Sequence, residues 1–428
     1  MGTALAHRFR SATGEHLLVV PFSRIFDLPA AEAVALDADP AALDALAASL
    51  GEAAPGEAAL DLIVEPAAQS ISLNVSSSCN LGCAYCYADR GSFGGRQTAP
   101  MTWATAQAAI DRLLAVGEPD HPITIGFLGG EPFANPRLIH QAVSYASAEA
   151  DRLGLDVRYS VTTNGTLLRP EDLALMRSHP FAVTVSLDGS ATVNDAQRPM
   201  RRGGGSAWAR ATERVAGLLA EPGLARLAAR ATVTRHDLDV AGRVDALTAL
   251  GFPEVGVAPL RSTPDAGAAL RDADWPRYLE LLIRAARVEQ VRLASGLPVR
   301  LTNFAVALKQ LHRGACSPYP CGAGGGYFSV SAEGRWYACH RAIGDAAFEM
   351  GSSLGLDADR RRRFLADRHV HAQTDCQTCW ARYLCSGGCH QEAAARTAAS
   401  CDFVRGWLEF CLSAYCELGN TLPGGGLR

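Results

Sequence analysis

From residue 71 the chain alternates short apolar runs with longer amphipathic stretches. The runs are Ile71–Val75, Ile123–Phe127, Val157–Val161, Ala182–Ser186, Ala231–Val233 and Val255–Ala258. Short apolar runs bounded by turn-forming residues predict strands. Between them Trp103–Ala115, Pro136–Arg152, Pro170–Arg177, Trp208–Leu219 and Val240–Leu250 carry apolar residues at helical spacing. Six β–α alternations predict an α/β fold with a parallel sheet and crossover helices. Six units make a partial (β/α)6 TIM-like barrel, short of the eight of a complete one.

The rhythm differs on either side of this barrel, which is assigned residues 69–265. Residues 1–68 read as a small N-terminal α+β module, with a strand pair (His16–Pro21, Arg24–Leu28) and Ala-rich helices near 29–36 and 40–50. The segment GEAAPGEAA from Gly51 is linker-like. After the barrel, 272–313 is helical in pattern and forms a bridge over 266–314. A C-terminal cysteine-rich domain spans 315–418. In it, a Gly-rich stretch (Cys321–Gly326) leads to a hairpin (Tyr327–Val330, Arg335–Ala338) and a charged helix over roughly 358–369. A cysteine-dense loop, 376–389, and a helix, Cys401–Leu418, follow. The Gly/Pro-rich tail, 419–428, is expected to fray.

Composition narrows the partners. With 48% hydrophobic and 20% charged residues, the chain has the make-up of a soluble globular protein. A net charge of −4 gives no basic excess for nucleic acid. There is no apolar run of about 18 residues, so no membrane span is expected. The N-terminus lacks a signal-peptide pattern, which points to the cytoplasm.

The 13 cysteines change the picture most. In a reducing compartment, thiols clustered at short spacings read as metal or iron–sulfur ligands, not disulfides. Cys79, Cys83 and Cys86 form C-x3-C-x2-C just after the first strand, at the strand end where barrels carry their chemistry. Three thiolates can hold three corners of a cubane cluster and leave one iron open. They are one ligand short of a closed zinc site. The second group begins with Cys316 and Cys321, then runs C-x12-G-x4-C to Cys339 through Gly334. It continues as C-x2-C-x5-C-x3-C over Cys376, Cys379, Cys385 and Cys389, and ends at Cys401. Eight thiolates suffice for two four-iron clusters; on spacing alone two zinc sites would also satisfy them. Cys411 and Cys416, on an apolar helix, read as buried free thiols.

The triplet has Tyr85 before its last cysteine. Gly129-Gly130-Glu131-Pro132 follows the second strand, Thr163-Asn164-Gly165 the third and Ser186-Leu187-Asp188-Gly189 the fourth. Over about residues 71–260 this order resembles the radical S-adenosylmethionine (SAM) enzymes. The C-terminal cysteines, over roughly 315–402, resemble the SPASM extension of peptide-modifying members.

The resemblance implies that Cys79, Cys83 and Cys86 are catalytic and ligate a [4Fe–4S] cluster whose open iron chelates SAM. Reductive cleavage then gives a 5′-deoxyadenosyl radical that abstracts hydrogen from substrate. It further implies SAM-binding roles for Tyr85, Gly129, Gly130, Glu131, Asn164, Ser186 and Arg198. Two auxiliary [4Fe–4S] clusters are implied, one on Cys316, Cys321, Cys339 and Cys389, the other on Cys376, Cys379, Cys385 and Cys401. The implied partners are a precursor peptide or client protein and a one-electron donor such as flavodoxin or ferredoxin.

Sulfatase-maturing enzymes are expected to carry an acidic residue after the cysteine equivalent to Cys339; here it is His340, in CHRAIGD. That favours the peptide-crosslinking branch, forming cyclophanes or thioethers, and makes His340 a candidate base. Ser/Cys oxidation of the formylglycine type is the alternative. A non-catalytic iron–sulfur or zinc scaffold is a further reading, disfavoured because it has no need of the GGEP, TNG and SLDG turns. The hairpin HLLVVPFSRIFDL with its helices resembles a truncated peptide-recognition element, a structural cap being the other reading.

Overall fold

The computed structural model describes residues 5–39, 41–51, 65–93, 95, 99–220, 226–263, 267–352 and 354–419. The linker after Gly51 and the tail after Gly419 lie outside them. The chain forms two compact units that cut across its linear segments. One comprises Met1–Ile63, Arg271–Cys321 and Ala366–Arg428; the other comprises Val64–Leu270 and Gly322–Leu365.

The first unit is mainly helical. It begins with an antiparallel sheet of β1 (Ala6–Ser11), β2 (Gly14–Val19) and β3 (Arg24–Leu28), in that spatial order. The hydrophobic pattern gives β2 and β3 but misses β1, because AHRFRS buries only Ala6 and Phe9. Helices Ala30–Ala38 and Ala42–Gly51 cover the sheet through Leu36 and Ala47, against Leu17 and Val19. The 272–313 stretch is two helices, Trp275–Ala294 and Thr302–His312. Both pack on the last helix, Ala398–Gly419, through ring pairs Tyr278–Phe403 (5.2 Å) and Phe304–Phe410 (5.9 Å). The N-terminal module joins the same helix: Glu417 accepts the Ala12 amide at 3.0 Å and Ser413 donates to Arg10 O at 2.6 Å.

The second unit is built on one sheet. Parallel strands β4 (Ser70–Ser76), β5 (Ile123–Gly129), β6 (Val157–Thr163), β7 (Phe181–Ser186), β8 (Arg226–Val233) and β9 (Glu254–Pro259) lie in sequence order. Such a monotonic order, with no reversal point, is that of a wound barrel and not of a doubly wound sheet. β9 does not pair back to β4, so the barrel is partial. Both faces of β4 are buried, with Ile71, Leu73 and Val75 on one side and Ser72, Asn74 and Ser76 on the other. The crossover helices start at residues suited to it: Thr102, Ser190, Ser206 and Asp239 cap free amides, and Pro136 and Pro170 occupy first turns. On the other side of β4 the sheet continues into β10 (Tyr327–Val330), β11 (Trp336–Tyr337), β12 (Glu349–Ser352) and β13 (Gly355–Leu356). β10 pairs in parallel with β4, from Tyr327 opposite Ser70 to Val330 opposite Leu73.

Candidate active site

Within the sheet unit, the cysteine triplet lies on the loop after β4. Cys79, Cys83 and Cys86 keep some exposure, but dense packing pushes the Cys79 thiol up to about 12 and the Cys83 thiol up to about 11. Each of these two thiols is further raised by the charge of Cys86, and Cys79 also by that of Cys83, so the three share one locality. Protonated soft donors of this kind become thiolates when a cation arrives, which is the chemistry iron binding requires. Their sulfurs already accept backbone amides: Leu81 N at 3.4 Å from Cys79 and Arg90 N at 3.3 Å from Cys86. Among the described residues no three Cys, His, Asp or Glu side chains converge as the cage of a single ion. A four-iron cluster takes its thiolates at separate corners, so it asks for wider spacing than one ion does.

The motifs on the following strands close around this loop. A Cβ on Gly130 would come within 2.3 Å of Ser78 O and 2.7 Å of Arg90 O. A Cβ on Gly129 would meet Ser76 O at 2.5 Å, and Gly129 has φ +147°. The two glycines therefore let the protein's own cysteine loop approach the end of β5. Glu131 is fully buried. It accepts Thr163 Oγ1 at 2.6 Å, the Asn164 amide at 2.8 Å and the Phe133 amide at 3.1 Å. Burial outweighs these donors and holds its carboxyl up at about 7. Glu131 thus fastens the third-strand motif to the second. Asn164 in turn donates to Asn80 Oδ1 at 3.0 Å and lies 3.7 Å from Cys79 Sγ, while Asn80 donates to Thr166 at 2.7 Å. Asn80, directly after Cys79, is a member of the site that motif reading passed over.

A second cluster surrounds Tyr85. The ring packs on Leu260 and Ala268 beside Cys83, and its hydroxyl donates to Asp188. Asp188 also accepts Arg198 at 3.1 Å and the Thr232 amide at 2.8 Å. The Arg198 guanidinium lies 5.2 Å over the Tyr85 ring. Arg198 is 8% exposed, so it is not a solvated surface cation. Its charge is matched inside the protein, by Asp188. The same loop is stitched to the cysteine loop by Gly82 N to Pro199 O at 2.8 Å and Arg201 N to Asn80 O at 3.0 Å. Ser186 stands half-buried at the end of β7.

His340 opens a short turn after β11. Its Nδ1 is 2.8 Å from the Tyr327 hydroxyl, which is 2.7 Å from Ser72 Oγ. The Tyr87 ring lies edge-on at 6.0 Å. Packing around the imidazole pushes its pKa down to about 4, so the ring is neutral at pH 7. A base held that low is a weak proton acceptor there.

In the helical unit, Cys376 is buried with Val20, Val370 and Tyr383, and Cys316 donates to Pro21 O at 2.9 Å. Cys379, Cys385 and Cys401 are half-buried, while Cys321 and Cys389 are exposed. Cys376 is raised by burial and by the charges of Cys379 and Cys401. His7 of β1 stacks on Trp380 at 3.8 Å and bonds Glu409 at 2.7 Å, tying the N-terminal module to this loop. None of the thirteen cysteines is in a disulfide, and Cys411 is fully buried.

A thiol triplet at the strand ends of a partial barrel, laced to three further motifs, is the arrangement that an iron–sulfur enzyme requires. Residues 73–220 match the model of the Radical SAM superfamily. Two relatives are an uncharacterised Methanocaldococcus jannaschii protein and a serine-type anaerobic sulfatase-maturating enzyme of Klebsiella aerogenes. The first is 34% identical over 31% of this chain, which spans only 42% of that protein. The second is 25% identical over 77% of this chain and 82% of its own. A solved structure, native anSMEcpe with bound AdoMet and Cp18Cys peptide, shares the fold with TM-score 0.67 and 16% identity, over 82% of this chain and 99% of that one. Residues 73–220 thus carry a radical SAM domain, and the chain over most of its length is similar to an anaerobic sulfatase-maturating enzyme. A radical SAM domain implies a [4Fe–4S] cluster and SAM as cofactors. Among the described residues no helix is long and apolar enough to cross a membrane.

Proposed function

We propose that this enzyme oxidises a side chain of a peptide or client protein after abstracting a hydrogen atom from it. The observation that carries the reading is the single bonded network joining the cysteine loop to Glu131, Asn164, Asp188 and Arg198 at the strand ends. In this reading Cys79, Cys83 and Cys86 hold the first cluster, and the strand-end motifs, with Tyr85, Gly129, Gly130 and Ser186, shape the SAM site. With SAM bound there, one-electron reduction supplies the 5′-deoxyadenosyl radical. Further thiols suit auxiliary [4Fe–4S] ligation, with Cys376, Cys379, Cys385 and Cys401 as one ligand set within the helical unit. A one-electron donor such as flavodoxin or ferredoxin completes the system.

The named activity of the Klebsiella relative supports oxidation of serine or cysteine more than a crosslink. The crosslink, cyclophane or thioether, remains as a second reading on one observation: His340 stands where the sulfatase branch is expected to carry an acid. Both outcomes remove two hydrogens from a serine-containing substrate, but only oxidation leaves an aldehyde. Reduced holoenzyme, SAM and Ser- and Cys-containing peptides are incubated, and products are trapped with a hydrazide before mass spectrometry. Hydrazone formation supports oxidation. Loss of two hydrogens without trapping supports the crosslink. Absence of deoxyadenosine under reductant refutes both. Replacing Cys79, Cys83 and Cys86 together by Ala is expected to bring deoxyadenosine release to background.

A further inference from the structure

The thiols of the helical unit have side-chain cations for neighbours. Arg396 Nη1 donates to Cys376 Sγ at 3.4 Å, to Gln373 Oε1 at 2.9 Å and to Gly387 O at 2.7 Å. These last two bonds fix the guanidinium against the sulfur. Arg405 lies one turn beyond Cys401 on the last helix and is paired with Asp402; against the effect of burial, Asp402 and then Cys379 raise its guanidinium. Burial first, and then the charges of Cys379 and Cys401, raise the Cys376 thiol while Arg396 lowers it, so the two guanidiniums lie near one group of thiols. At the first loop the sulfurs of Cys79 and Cys86 take backbone amides of Leu81 and Arg90, and Cys79 also faces the side-chain Nδ2 of Asn164 at 3.7 Å.

Reduction adds one negative charge to a four-iron cluster. Fixed positive charge and hydrogen bonds to its sulfurs stabilise the reduced form more than the oxidised one. We infer that Arg396 and Arg405 are positioning residues that raise the reduction potential of the cluster on Cys376, Cys379, Cys385 and Cys401. The inference rests on the reading of those thiols as one ligand set. It assigns this cluster the role of the more easily reduced centre, suited to holding an electron.

The test is an EPR-monitored redox titration of the anaerobic full-length holoenzyme and of Arg396→Gln, Arg405→Gln and the double variant, with iron assayed in each. Removing the cations is expected to shift one wave only. At a fixed poise its oxidised-to-reduced ratio should rise about tenfold in the double variant, equivalent to about 59 mV for a one-electron couple. Arg405→Lys should recover most of the shift caused by Arg405→Gln. Unchanged waves at full iron content overturn the inference. Wild-type chain whose iron corresponds to the SAM cluster alone overturns the underlying ligand reading instead. Because Arg396 also braces Gln373 and Gly387, Arg405→Gln decides the matter where Arg396→Gln loses iron.

Discussion

Around Cys79 and Cys83 the buried charged neighbours are Glu131, Asp188 and Arg198; around Cys376 and Cys379 they are the half-buried Arg396 and Arg405. The scaffolds differ as much as the charges. The first loop sits on strand ends, with backbone bonds from Gly130, Glu131 and Gly82 fixing its path. The second runs through one-turn helices, Thr374–Gln377 and Arg382–Cys385, with Ser386 in a left-handed conformation. A loop anchored by a sheet holds its form before any metal binds. A loop made of isolated turns depends on ligation for much of its order.

Stripping iron with a chelator should separate the two most strongly. Hydrogen exchange is expected to accelerate over 370–401 well before it does over 76–90, and equal acceleration would erase the contrast. The next largest effect concerns charge. Asp188→Asn leaves Arg198 buried without its counter-charge and should cost about 3–5 kcal/mol in denaturant unfolding. Asp402→Asn, which breaks the exposed pair with Arg405, should cost less than about 1 kcal/mol. Gly130→Ala forces a Cβ into the Ser78 carbonyl and should cost about 1–3 kcal/mol by the same measurement. The smallest effect is a pH dependence. Glu131 is raised from 4.5 to about 7 in the fold, so the folded chain holds a proton that the unfolded chain has released. Stability from this group is fully present below about 4.5 and declines as pH rises to about 7. Melting curves of Glu131→Gln should be flatter across that window than those of the parent.

The barrel was legible because period and length speak for buried strands and amphipathic helices. Ile123–Phe127 became Ile123–Gly129, and Pro136–Arg152 became Pro136–Leu153. Ala231–Val233 proved to be only the end of Arg226–Val233, since Arg226 and Arg230 mask its first half. The short helix Ala191–Gln197, polar and seven residues long, left no period to read. At the site, cysteine spacing identified the loop, but side-chain partnerships did not follow from motifs. Arg198 needed Asp188, ten positions away, to be recognised as buried. Glu131 needed the Thr163 hydroxyl and the Asn164 amide to show that its carboxyl is a fastener.

β10 covers one flank of β4 from Ser70 to Leu73. Without that cover, the amides and carbonyls of the strand preceding Cys79 would form a bare edge, a template for pairing between molecules. The barrel is therefore not a cassette that can be excised at Cys321. A chain truncated there is expected to self-associate along the exposed flank of β4.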